Sequence, residues 1–200
     1  MDIVLYGRPY NRSDRVQWTL EELGLPYQYR VLDVFGLEHR GEDVTSRYSL
    51  ARLPFVELDG RVIFESGAIM LYLAQRFRDR VDLVPDMGDS DYVKVLQWLF
   101  FAVSTLESAD PGLDASSGPA PSASLAKTLD FLEQQVEGAK YIAAGRFTIA
   151  DIALANGLKW FGPDALNDRP HLTRYFSEHT SRSAFRKIAE QPEYPSCRPG

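Results

Sequence analysis

A single cysteine in 200 residues, Cys197 in the Pro-rich tail, excludes an internal disulfide, a CxxC redox pair and a cysteine metal cage. Any sulfur chemistry must use a thiol brought in from outside, and no metal is expected. Basic charge is also scarce. The 22 Lys and Arg against 28 Asp and Glu leave a net charge of -6, with no surplus to draw the chain onto phosphate backbones, so nucleic acid is not an expected partner. No apolar run reaches the roughly 18 residues of a membrane span. The start, MDIVLYGRPY, lacks the charged and apolar regions of a signal peptide, so a cytoplasmic protein without membrane contact is expected. What is present is ordinary for folded chains: 44% apolar, 12% aromatic and 25% charged residues suffice for one large domain or two small ones.

The first part of the chain alternates strand and helix signals. Ile3 to Tyr6 is a short apolar run stopped by Gly7 and Pro9, and from Val16 the spacing turns helical through Leu20 and Leu23, closed by Gly24. Tyr27 to Val34 reads as a second strand. Phe55 to Leu58 and Arg61 to Phe64 are two more, joined by Asp59-Gly60, a dipeptide suited to the positive φ of a tight hairpin. Glu65 opens a helix with Ile69, Leu73 and Phe77 on one stripe. Between Gly36 and Leu53 the pattern assigns nothing, although a short helix there would complete a strand, helix, strand, helix, strand, strand, helix order.

After Phe77 the periodic segments are helical: Tyr92 to Leu106, Leu125 to Val136, Ile149 to Phe161 and Leu172 to Phe176. A boundary is expected near 78–89, giving domains over 1–79 and 89–200. Residues 110–124, DPGLDASSGPAPSAS, form a Pro, Gly and Ser loop between helices. Thr148-Ile149-Ala150-Asp151 before an apolar helix is a capping box, which consumes both polar side chains and assigns Asp151 a structural role rather than a catalytic one.

Three places carry candidate chemistry. Leu53-Pro54 precedes a strand; a trans proline opening that strand is the simpler reading, whereas a cis bond presents the Leu53 N–H and C=O to an extended peptide. Glu65-Ser66 stands at a strand-to-helix junction, where free N–H groups and the positive helix end attract a carboxylate and Glu65 adds a negative charge, a pairing suited to an amino-acid end group. A plain helix cap is the alternative. The loop Arg8 to Arg15 feeds a helix N-terminus with hydroxyl, amide and guanidinium donors, surroundings that favour a thiolate.

Tyr6-Gly7 with Arg15-Val16, Leu20 to Tyr27 (LEELGLPY), Leu53 to Gly60 (LPFVELDG), Phe64 to Leu73 (FESGAIMLYL) and Phe147 to Leu154 (FTIADIAL) stand in order over nearly the whole chain. Together they resemble a cytosolic glutathione S-transferase of bacterial type. The resemblance implies a thioredoxin-like α/β N-terminal domain, an all-helical C-terminal domain that contributes the electrophile pocket, and a homodimer. It implies that Leu53 pairs with the cysteinyl backbone of glutathione beside a cis Pro54, and that Glu65 and Ser66 hold the γ-glutamyl amino and carboxylate groups. His39 and Arg52 become candidates for the glycine carboxylate. Asn11 falls where the family usually carries a thiol-activating serine or cysteine; Ser13 and Tyr10 are the competing donors, and Tyr6 fits less well. An Asn forms no mixed disulfide, so cysteine-type chemistry is disfavoured.

The activity implied is glutathione transfer to small hydrophobic electrophiles, a detoxification reaction. Glutathione-dependent disulfide or peroxide reduction without a protein cysteine, and a non-catalytic glutathione-binding or interaction role, are the alternatives. The demand on the protein is modest: lowering a thiol pKa from about 8.5 by two units takes about 2.7 kcal/mol. Trp98, Phe101 and Trp160 are the first aromatics to consider for the electrophile, although their spacing also suits a helical core.

Overall fold

A computed structural model describes residues 1–32, 41–50, 52–109, 123–162 and 164–190. His39, Cys197, the expected strand end at 33–34 and most of the 110–124 loop lie outside the described residues. Two compact units emerge, Met1–Val81 joined by the described residues 186–190, and Asp82–Phe185.

In the first unit β1 (Ile3–Gly7), α1 (Ser13–Glu22), β2 (Gln28–Val31), α2 (Gly41–Arg47), β3 (Phe55–Leu58), β4 (Arg61–Phe64) and α3 (Ser66–Arg76) follow one another. The sheet order is β2-β1-β3-β4, with β1 parallel to β2 and antiparallel to β3, and β3 antiparallel to β4. Position in the sheet explains the residue pattern. Central β1 is buried at all five positions and so reads as an unbroken apolar run, whereas edge strands β2 and β4 keep exposed positions. Asp59 (φ 49°) and Gly60 (φ 81°) turn the β3–β4 hairpin as expected. The unassigned stretch does hold a helix, α2, and the element order is the thioredoxin-like one. The second strand is shorter than Tyr27 to Val34: it begins at Gln28, and Leu32 has already left it. Its final hydrogen bond, Leu32 N–H to Gly7 C=O at 2.9 Å, ties the turn-out to the end of β1.

Tyr6 is 1% exposed and stacks on Phe55 at 4.3 Å and 8°. Val4 and Val44 complete that core cluster. This packing makes Tyr6 a core residue.

The second unit is helical: α4 (Ser90–Phe100), α5 (Ala123–Gln135), α6 (Ile149–Leu158), α7 (Pro170–Thr180) and α8 (Ser183–Ala189), the last crossing into the stretch that counts with the first unit. Every residue of α6 is buried, which identifies it as the axis of the helical core. Three expected spans change. The helix over Tyr92 to Leu106 becomes a π-helix across Phe101–Leu106, the one over Ile149 to Phe161 tightens to a 3-10 turn at Lys159–Phe161, and the one over Leu172 to Phe176 extends to Pro170–Thr180. Leu106 packs closely on α6, where a Cβ on Gly157 would lie 2.9 Å from a methyl of its side chain and the leucine would have to shift. No helix among the described residues is long and apolar enough to cross a membrane.

The capping box forms as read, and more is built on it. Asp151 accepts from the Thr148 N–H (2.8 Å), the Thr148 hydroxyl (3.1 Å), the Ile142 N–H (2.9 Å) and the Tyr175 hydroxyl (2.8 Å). Burial nonetheless raises its carboxyl pKa against the pull of those donors.

Candidate functional site

The sheet register gathers the candidates at one end of the first unit. Tyr6 pairs with Phe55 and Phe55 with Phe64, so the exit of β1, the entry of β3 and the exit of β4 lie side by side. The loop 8–12, Leu53-Pro54 and Glu65-Ser66 are the segments attached to those three strand ends.

Leu53–Pro54 is cis. Leu53 is half-buried and Pro54 buried, and no described residue takes the Leu53 N–H or C=O. Arg52 is exposed immediately before them. Glu65 is exposed with φ 65° and ψ 111°, a left-handed conformation that costs a non-glycine residue about 1–3 kcal/mol. Its side chain makes no cap hydrogen bond to α3. Ser66, 5% exposed, opens α3. The N-terminal N–H groups of this 11-residue helix add positive potential beside the Glu65 carboxylate, a pattern of opposite charges that an α-amino acid group matches.

In the first loop the three thiol-activating candidates separate. Ser13 is fully buried; its hydroxyl accepts from the Arg8 N–H at 3.1 Å, and its own N–H donates to Asn11 Oδ1 at 2.6 Å. A backbone N–H can only donate, so Asn11 is oriented with its oxygen inward and its NH2 group turned away from that bond. Tyr10, half-buried, holds φ 61°. Ser13 thus shapes the loop, and Asn11 carries the donor that the loop leaves without a described partner.

Gly7 makes this packing possible, because a Cβ there would sit 2.6 Å from Ser13 Oγ and 2.9 Å from the Tyr29 ring. Gly7→Ala is expected to cost about 1–3 kcal/mol by overpacking. A urea midpoint equal to that of the parent chain would show that the loop yields.

In the second unit Trp98 and Phe101 meet edge-on at 5.2 Å, and Phe131 joins them at 6.0 and 5.8 Å. Trp160 stands on the 3-10 turn after α6. Phe131, which is 43% exposed, was not singled out from the sequence; its apolar ring on an outward position of α5 was the available signal.

Residues 5–80 match the N-terminal domain of glutathione S-transferases and residues 94–183 the C-terminal domain. Among similar proteins, glutathione S-transferase GstA of Escherichia coli O157:H7 is 28% identical over 198 residues, 94% of each chain. The crystal structure of glutathione transferase F7 from Populus trichocarpa superposes with a TM-score of 0.80 at 25% identity, covering 94% of this chain and 98% of that one. A sphingomonad glutathione S-transferase, solved in complex with glutathione, superposes with a TM-score of 0.78 at 26% identity, over 92% and 96% of the two chains. With both domain signatures in order on a thioredoxin-like unit and a helical unit, the chain belongs to the glutathione S-transferase family.

Proposed function

We propose that this protein binds glutathione, activates its thiol and transfers it to small hydrophobic electrophiles, working as a cytoplasmic homodimer. The observation that carries the reading is the register Tyr6–Phe55–Phe64, which brings a donor-bearing loop, a cis X-Pro step and a helix N-terminus with an acidic neighbour to one end of the sheet. That the sphingomonad relative was solved with glutathione supports the same ligand here.

In this reading Leu53 pairs with the cysteinyl backbone, Glu65 takes the α-amino group, and Ser66 with the start of α3 takes the α-carboxylate. Arg52 is within the same end of the sheet for the glycine carboxylate, and His39 is the second candidate for it. The Asn11 NH2 group donates to the sulfur, with the N-terminus of α1 adding positive potential. The thiolate then forms the sulfur–carbon bond while the leaving group departs with its electron pair. Trp98, Phe101 and Phe131 offer the apolar aromatic surface for the electrophile.

Asn11→Ala is expected to raise the pH at which the rate with a chloronitrobenzene is half-maximal by about one unit, the equivalent of about 1.4 kcal/mol. Tyr10→Phe leaves the profile in place. A shift in Ser13→Ala with none in Asn11→Ala assigns the activating donor to Ser13. Retention on immobilised glutathione with activity only on hydroxyethyl disulfide identifies a reductase, and retention with neither activity a binding protein.

A further inference from the structure

Tyr48, the residue after α2, packs its ring on the neighbours of two of the three segments gathered at the end of the sheet. It meets the Phe55 ring edge-on at 5.7 Å and stacks flat on the Phe64 ring at 4.9 Å and 6°. Phe55 directly follows Leu53-Pro54, and Phe64 directly precedes Glu65-Ser66. Phe55 in turn stacks on Tyr6, which leads through Gly7 into the loop 8–12, so the row Tyr6–Phe55–Tyr48–Phe64 adjoins all three segments. Tyr48 is itself tied down. Its N–H donates to the Val44 C=O at 3.1 Å, its ring packs on the cluster of Val4, Tyr6, Val44 and Phe55, and the preceding Arg47 pairs with Glu57 of β3 at 2.5 Å.

Phe64 is where this support matters most. It ends the edge strand β4, which has a strand neighbour only on its β3 side, and it is 49% exposed. The next residue, Glu65, holds its left-handed φ of 65°, a conformation that persists only where the surrounding chain fixes it. On the far side the fixing comes from α3, since the Ile69 N–H donates to the Glu65 C=O at 2.9 Å. On the near side the Tyr48 stack adds to the pairing of Phe64 with Phe55. The backbone angles of Glu65 set the direction in which its carboxylate leaves the chain.

We propose that Tyr48 is a positioning residue for glutathione: by clamping Phe64 it holds Glu65 in the conformation that directs its carboxylate at the ligand's α-amino group. The proposal rests on the glutathione reading above and adds to it a residue that acts through Phe64. The clamp uses the ring face of Tyr48, since stacked and edge-on aromatic pairs hold one another by shape and quadrupole, and its hydroxyl is dispensable.

Calorimetric titration of the full chain with glutathione, paired with thermal unfolding of the same samples, tests this. Tyr48→Ala is expected to weaken binding about tenfold or more, and Tyr48→Phe to keep the parent affinity. Tyr48→Leu, which retains apolar bulk without a ring to stack on Phe64, weakens binding in the same way and serves where the alanine variant unfolds. Leu58→Ala thins the core at the hairpin end of β3, so it lowers the melting temperature and leaves the affinity unchanged. Added to Glu65→Gln, Tyr48→Leu weakens binding by less than about a further twofold, because its effect runs through that carboxylate. Parent affinity in folded Tyr48→Leu, a loss in Tyr48→Phe, a loss in Leu58→Ala equal to that in Tyr48→Leu, or additive losses in the double variant would each overturn the proposal and leave the glutathione reading in place. Absence of glutathione binding by the parent chain removes that reading, and full affinity in Glu65→Gln removes the role of its carboxylate; the proposal falls with either.

Discussion

Asp151→Ala is expected to lower the unfolding free energy by about 3–5 kcal/mol, a large share of the 5–15 kcal/mol typical of a folded domain. The cost comes from what is left behind. The Ile142 N–H, the Thr148 N–H and the Tyr175 hydroxyl all donate to this one buried carboxylate, and alanine leaves them without an acceptor in a region closed to water. The N-terminus of α6, the helix buried along its full length, loses its cap at the same time. Asp151→Asn retains an acceptor oxygen and should cost less. Urea denaturation measures both. Glutathione affinity per folded molecule should stay at the parent value, since Asp151 belongs to the second unit. A loss below about 1 kcal/mol would mean that the three donors find other partners.

Acid should act on the same neighbourhood. His179 has its pKa depressed from 6.5 to about 4, chiefly by burial, so between these values the unfolded chain binds a proton that the folded chain refuses. Stability contributed here is present above pH 6.5 and is lost as pH falls toward 4, by about 3 kcal/mol in all. Asp151 works in the opposite sense: its raised pKa means that the folded chain holds a proton more readily than the unfolded one just above pH 3.8. His179→Asn should remove the part of the slope that the histidine contributes between pH 4 and 6.5.

Ser66→Ala and Glu65→Gln are expected to weaken glutathione binding by more than tenfold each, from the loss of a hydrogen bond or ion contact to a charged ligand group worth about 1.5–3 kcal/mol. Their thermal stabilities should barely move. Glu65 already forgoes a cap hydrogen bond to α3 and keeps a left-handed backbone, so its side chain contributes little to holding the helix. Calorimetric titration with glutathione, paired with thermal unfolding of the same samples, separates the two roles. Full affinity in both variants would return these residues to the status of a helix start and nothing more.

The features legible in the sequence are those set by interactions between near neighbours. Asp59-Gly60 dictates a hairpin because its two residues alone must take positive φ, and β3 and β4 end where they were read. Thr148 and Asp151 cap α6 across three residues, and the apolar run of β1 declares a strand covered on both faces. The resemblance carried by LPFVELDG and FESGAIMLYL singled out candidate site residues in the chain, but not how they meet.

That meeting was decided by long-range pairing. Only the register Tyr6–Phe55–Phe64 brings residues 8–12, 53–54 and 65–66 to one end of the sheet. The burial of Ser13 beside Gly7, and its N–H bond to Asn11 Oδ1, turn the Asn11 oxygen inward, an orientation that the order of residues 7–13 does not show. The short helices α2 and α8, of seven residues each, are too brief for a periodic signal, and residues such as Val44 and Ile188 anchor them by burial. The π-turn over Phe101–Leu106 and the Tyr175 hydroxyl bond to Asp151, 24 residues away, likewise depend on neighbours that the local sequence does not contain. Turns and caps close within about four residues and show in any window of the chain, whereas donor orientation, register and buried networks exist only once distant segments have packed.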